Sequence, residues 1–229
     1  MATQPMRIKV SENGPYLVEG GVPLGKQIIG TNDEGESVQW IEGESLPSKP
    51  RYRLCRCGHS SNKPFCDGTH VSIGFDGTET ASRAPYVEQA AVFDGPGLMM
   101  RDWTVLCAEA RFCDPCGSVW DEISETDKPD VAEQVKRQVC NCPSGRLVAY
   151  DRATGQPIEP ELPPSIGVVE DPQAGVSGPL WVRGGIQIVA ADGHEYEVRN
   201  RVTLCRCGQS QNKPFCDGSH VSVGFRDDQ

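Results

Sequence analysis

A predominantly β, small α+β fold, with two similar modules flanking a partly helical middle insertion, is what this sequence predicts. Three observations lead there. Residues 55–75 (CRCGHSSNKPFCDGTHVSIGF) recur at 205–225 (CRCGQSQNKPFCDGSHVSVGF) with four differences: His59/Gln209, Ser61/Gln211, Thr69/Ser219 and Ile73/Val223. Glycine and proline number 25 and 18, which argues for many turns and short elements. One stretch, about 128–139, carries helical spacing.

The elements follow in chain order. PYLVEGGVPL at 15–24 resembles PLWVRGGIQI at 179–188, so the repeat extends upstream of its cysteines. Each echo reads as an apolar strand, a Gly-Gly turn and more strand. TNDEGE and LPSKP, in the first copy alone, read as loop. Residues 1–85 thereby form a first module. In the middle segment, 86–160, Val131, Val135 and Val139 recur every four residues. They predict an amphipathic helix entered through Asp127 and Pro129 and stopped by the turn Cys142-Pro143-Ser144-Gly145. The run IEPELPPSIGVVEDPQAGVSGP reads as an extended surface connector, and residues 161–229 carry it into the second module.

Composition narrows the partners. A net charge of −10 repels phosphate backbones and anionic membranes, so nucleic acid is not expected. No run of about 18 apolar residues is present, and MATQPMRIKV lacks the apolar stretch of a secretory signal, so a cytoplasmic protein is expected. Eleven cysteines in such a chain are more often metal ligands than disulfides.

The repeat sorts its own residues. His59 becomes Gln209, whereas His70 and His220 stay in register; His194 reads as a surface turn residue. Each copy offers Cys-x-Cys and, after eight residues, Cys-x3-His. Cysteines at i and i+2 of an extended segment project from one face, and a Cys and a His at i and i+4 share one side of a helical turn. Asp67 is expected to cap that turn. Spacing favours an iron–sulfur site over zinc, whose paired cysteines usually stand two to four residues apart, but leaves zinc open. Arg56 and Arg206 must point away from the paired cysteines, toward acids or water. Lys63 and Lys213 suit either an acidic partner or plain solvation.

The pattern Cys-x-Cys-x2-Ser-x3-Pro-x-Cys-Asp-Gly-Ser/Thr-His, met in both copies, resembles the CDGSH iron–sulfur domain family, the mitoNEET-like proteins, in a tandem-motif bacterial form. The resemblance implies two [2Fe–2S] clusters, one held by Cys55, Cys57, Cys66 and His70 and the other by Cys205, Cys207, Cys216 and His220. It also implies two modules paired as a pseudo-dimer inside a monomer. Three thiolates and one imidazole leave less negative charge than four thiolates. The implied potential therefore lies above that of plant-type ferredoxins and falls as pH rises.

Between the copies, Cys107, Cys113 and the Cys142 turn resemble a divergent single-cluster ferredoxin segment, with Glu109-Ala110-Arg111 where such segments show His-Ala-Gly. Cys116 and Cys140 are extra. A third cluster, a zinc site on Cys113, Cys116, Cys140 and Cys142, and a segment without metal all stay open. Three functions are weighed: electron transfer to a redox partner, cluster storage and delivery to an apo-acceptor protein when the histidines protonate, and a zinc-stapled binding module. No nucleophile elbow, phosphate loop, zincin helix or dinucleotide fingerprint is present, so no enzyme is expected.

Overall fold

The computed structural model describes residues 5–115 and 117–227. Strands β1 (Arg7–Val10), β2 (Tyr16–Glu19), β3 (Leu24–Thr31), β4 (Ser37–Leu46) and β5 (Arg51–Leu54) precede the first motif, which ends in the helical turn α1 (Thr69–Ser72). The middle segment holds α2 (Tyr86–Gln89), β6 (Ala91–Asp94), β7 (Leu98–Asp102), α3 (Val119–Glu122), α4 (Pro129–Asn141), β8 (Leu147–Asp151) and β9 (Pro157–Ile158). Strands β10 (Ser165–Asp171), β11 (Val176–Arg183), β12 (Gln187–Val189) and β13 (Arg201–Leu204) lead to the second motif and its turn α5 (Ser219–Ser222).

The two modules exchange strands. One sheet runs β12-β1-β2-β5 and the other β13-β11-β10-β3-β4. Across each Gly-Gly turn the chain leaves its own sheet for its neighbour's. Gly20 and Gly21 (φ +88° and +69°) separate β2 from β3, and Gly184 and Gly185 (φ +74° and +71°) separate β11 from β12. The crossing strand then pairs in parallel with the other module, Leu24 opposite Ile166 and Gln187 opposite Arg7. Such left-handed backbone strains any residue with a Cβ, which is why both turns are glycine pairs. The result is a strand-rich α+β fold of two intertwined modules with a pseudo-two-fold relation. Their inward faces share one core, with Ile8, Val10, Tyr16, Val18 and Leu54 from the first module meeting Ile166, Val168, Leu180, Val182 and Leu204 from the second.

The middle segment builds its own small sheet, β6-β7-β8-β9. Helix α4 packs on it through Val135 and Val139, against Leu98, Met100, Leu147 and Ala149. Pro129 stands in its first turn, where a missing N–H costs nothing, and Lys128 is the residue before it. Arg201 of β13 ties this unit to the larger sheet. Its fully buried guanidinium donates to the carbonyls of Cys142 (2.7 Å), Val139 (3.1 Å) and Leu147 (3.1 Å) and pairs with Glu159.

One expectation changes. The supposed connector contains β10, a buried strand between β11 and β3. Its Ser-Ile-Gly-Val-Val run lies covered on both faces, and Gly167 leaves room for Gln27, whose Cγ would stand 2.5 Å from a Cβ there. The stretch between TNDEGE and LPSKP is a ten-residue strand, β4, mostly exposed and so without a clear apolar alternation. Among the described residues no helix is long and apolar enough to cross a membrane.

Candidate functional site

Both motifs are built alike. The Cys55 N–H donates to the Pro64 carbonyl (2.7 Å) and the Cys66 N–H to the Arg53 carbonyl (3.0 Å), folding the loop back on β5. The counterparts are Cys205 on Pro214 (2.9 Å) and Cys216 on Thr203 (2.9 Å). The hydroxyls of Ser60 and Ser210 donate to the carbonyls of Phe65 (2.6 Å) and Phe215 (2.7 Å). The Lys63–Pro64 and Lys213–Pro214 bonds are cis. The helical turn begins one residue later than expected, at left-handed Gly68 or Gly218. Asp67 still satisfies its first N–H, accepting from Thr69 (3.0 Å) while also bonding Ser61 (2.8 Å). Those hydrogen bonds, from Thr69 first, hold its carboxyl below the usual range.

The arginines between the paired cysteines are anchors, not surface groups. Arg56 is buried; it donates to the Ser11 carbonyl (3.0 Å) and to that of Gly77, and lies against the rings of Tyr16 and Phe75. Arg206 donates to the carbonyls of Gly178 (2.7 Å) and Val169 (2.9 Å) and pairs with Glu170 and Asp227.

The sulfurs and imidazoles come together in pairs. Cys55 and Cys57 place their Sγ atoms 3.8 Å apart, Cys205 and Cys207 theirs 3.7 Å apart. Cys66 Sγ lies 3.4 Å from His70 Nδ1, and Cys216 Sγ 3.5 Å from His220 Nδ1. The S–H contact within each cysteine pair lowers Cys55 and Cys205 and raises Cys57 and Cys207. The modules meet at these loops, where Cys57 and Cys207 form an antiparallel bridge.

The ligand expectation is corrected here. Among the described residues, no group of three or more His, Cys, Asp or Glu side chains is placed to hold a metal ion. The extended Cys-x-Cys segment closes one pair and the Cys-x3-His turn another, and the two pairs do not converge as one donor set. This overturns the expected [2Fe–2S] cofactors on Cys55, Cys57, Cys66 and His70 and on Cys205, Cys207, Cys216 and His220. Iron–sulfur electron transfer, cluster storage and delivery, and zinc stapling fall with them, as does the pH-dependent cluster potential. In the middle segment Cys107, Cys113 and Cys142 line a cavity of only ≈ 30 Å³ beside Arg146. Cys140 faces the Ile158 carbonyl instead, and Cys116 lies outside the described residues.

The two sites differ in cover. Cys66 and His70 are half-buried, while Cys216 and His220 are 2% and 3% exposed. A Cβ on Gly68 would meet open space; one on Gly218 would meet Glu109 Cγ at 2.6 Å and the Cys107 carbonyl at 3.3 Å. The middle segment therefore lies over the second site. It is pinned by a bidentate pair between Arg111 and Asp171 (2.7 and 3.0 Å). Burial, then the charges of Arg206 and Arg111, pushes the His220 imidazole down to about 4. Tyr16 adds a second asymmetry. Its hydroxyl crosses to the other module and donates to the carbonyls of Cys205 (2.7 Å) and Pro214 (3.0 Å). The sequence echo puts Leu180 at the matching position, and that unlike pair in like surroundings was the available signal.

A two-module, strand-exchanged protein with a thiol–imidazole site in each half is the class defined by this architecture. The family model described as iron-binding zinc finger CDGSH type matches residues 13–71 and again 177–221, two matches consistent with a tandem CDGSH-type chain. Domains of this type are consistent with the expectation that the chain is not an enzyme. No curated protein and no solved structure matches the chain.

Proposed function

We propose that the chain is a non-enzymatic paired-thiol redox protein whose working groups are Cys55, Cys57, Cys66, His70, Cys205, Cys207, Cys216 and His220. The contact of sulfurs within each Cys-x-Cys pair, at 3.8 and 3.7 Å, carries this reading. Such a pair closes to a disulfide by losing two electrons and two protons to the disulfide of a partner protein, which leaves as a dithiol; the reverse exchange restores it. Cys207 lines an open groove and gives the partner an approach. Units 1–85, 86–160 and 161–229, a monomeric state and a cytoplasmic location belong to the same proposal. The net charge of −10 supports a partner other than nucleic acid or a membrane surface.

The test is anaerobic equilibration of the full chain in thiol–disulfide buffers of stepped potential, with thiol counting and intact mass. Two disulfides should form, each removing two hydrogens, and Cys57→Ser and Cys207→Ser should each abolish one. Failure to form them at oxidising potentials overturns the reading. So does purified protein carrying stoichiometric iron and acid-labile sulfide.

A further inference from the structure

The hairpins that support the two motifs differ in length. Strands β10 and β11 run seven and eight residues, against four each for β1 and β2. In the shorter hairpin the Ser11 N–H donates to the Pro15 carbonyl (3.1 Å), and a Cβ on Gly14 would stand 3.6 Å from His70 Nε2. In the longer one β10 ends on the buried carboxylate of Asp171. Its Oδ1 accepts from the Ala174 N–H (3.0 Å), and both oxygens receive the Arg111 guanidinium. The longer hairpin thereby anchors the middle segment beside the second site, where the charges of Asp171 and Arg111 both reach His220.

Arg111 also holds the segment's own backbone. Besides its two bonds to Asp171, its guanidinium donates to the Glu109 carbonyl (2.9 Å), so one side chain fixes both the anchor and the residue that stands over Gly218. Glu109 Oε1 in turn lies 3.3 Å from Cys107 Sγ. Residues 107–111 hold neither helix nor strand, and Glu109 and Arg111 both have left-handed backbone (φ +51° and +60°), which is unfavourable for a residue with a Cβ. Such a conformation persists while its surroundings impose it. Ala110 and Phe112, buried beside Trp181, seat one end of the segment, and the Arg111–Asp171 pair closes it over the site.

We infer that residues 107–111 are an autoinhibitory lid over Cys216 and His220, latched by Arg111 on Asp171, and that a partner reaches the first site, open over Gly68, at Cys66 and His70. Releasing the latch lets the left-handed turn relax away from Gly218 and exposes Cys216. Cys207 opens to its own groove, so the lid governs Cys216 and His220. The inference rests on the paired-thiol reading for what access accomplishes; the closure is measurable without it.

The experiment adds iodoacetamide to the reduced full chain and times the label at each cysteine by peptide mass mapping. Cys66 should react well ahead of Cys216 in the folded chain, and the two rates should converge in urea. Arg111→Met and Asp171→Asn should each speed Cys216 by about tenfold or more, because a hydrogen bond to a charged group is worth at least that factor, and leave Cys66 unchanged. Glu109→Gly removes the atoms over Gly218 at an exposed position whose positive φ glycine accepts, and should also speed Cys216; it decides the matter if the Asp171 variant does not fold. Equal rates in the unaltered folded chain, a difference that persists in urea, a Cys216 rate that no variant raises, or variants that speed both cysteines alike would overturn the lid. If the variants expose Cys216 while neither Cys-x-Cys pair closes in thiol–disulfide buffers, the lid stands and the paired-thiol reading fails.

Discussion

Replacing Gly58 by alanine probes the point where the two modules touch. Gly58 has φ +81°, and a Cβ there would stand 2.5 Å from the Cys207 carbonyl oxygen; Gly208 has φ +80° and the matching distance to the Cys57 oxygen is 2.6 Å. Left-handed backbone costs an alanine roughly 1–2 kcal/mol. The clash adds about 1–3 kcal/mol, because the obstructing atom is backbone and no rotamer change relieves it. Together these give about 2–5 kcal/mol for Gly58→Ala, and the same for Gly208→Ala if the pseudo-two-fold relation governs the contact. Gly74 supplies the control, since it is also left-handed (φ +61°) but a Cβ would meet nothing within 4 Å. Gly74→Ala should therefore show only the backbone part. Urea unfolding of the full chain reads the differences from midpoints at unchanged slope. If Gly58→Ala is no more destabilising than Gly74→Ala, the modules do not meet at the Cys57–Cys207 bridge and the reasoning fails.

Further outcomes follow from other contacts. Tyr16→Phe keeps the buried ring but strips the Cys205 carbonyl of its donor, so unfolding midpoints should drop by about 1–3 kcal/mol; no measurable loss would show that the crossing hydroxyl is dispensable. His220 is pushed down to about 4 by burial first, while the unfolded chain takes up its proton near about 6.5. Its contribution is thus intact above about pH 6.5, is lost as pH falls toward about 4, and totals on the order of 3 kcal/mol. His220→Gln should flatten that part of a stability-versus-pH series, and an unaltered slope would refute the assignment. Arg201→Met should cost about 3 kcal/mol or more by leaving three carbonyls and Glu159 without their guanidinium. Arg201→Lys should recover little of it, because an ammonium cannot span the same fork. Calorimetry that shows Arg201→Lys fully stable would contradict this.

What the sequence discloses depends on whether a signal is local. The Cys-x-Cys and Cys-x3-His spacings predict pairs, and Cys55 with Cys57 and Cys66 with His70 are indeed in contact. Spacing within a segment says nothing about how two segments approach, and the inferred four-donor sets failed at that step. The helix at 129–141 was legible because Val131, Val135 and Val139 mark one face. Strand β10 was not, because a strand covered on both faces has no alternation and its Pro- and Gly-rich flanks imitate a linker. Arg56 and Arg206 read as pointing toward acids or water, and Arg206 does pair with Glu170 and Asp227, but nothing in the motif reveals that the carbonyls of Ser11, Gly77, Gly178 and Val169 await them.

The exchange of β3 and β12 between modules bears on how the chain is made. Arg7 lies opposite Gln187, and Leu24 opposite Ile166, so β1 and β3 each gain one sheet neighbour only once β12 and β10 have been synthesised. At about 5–20 residues per second, β1 and β3 wait roughly 10–40 s on the ribosome for their neighbours. Throughout that interval one edge of each stays unpaired, since only β2 and β4 are at hand to cover the other. Topology of this kind folds slowly. Neither half can be expected to fold when expressed alone, and any ribosome stall before residue 165 leaves a nascent chain with its core still open to water.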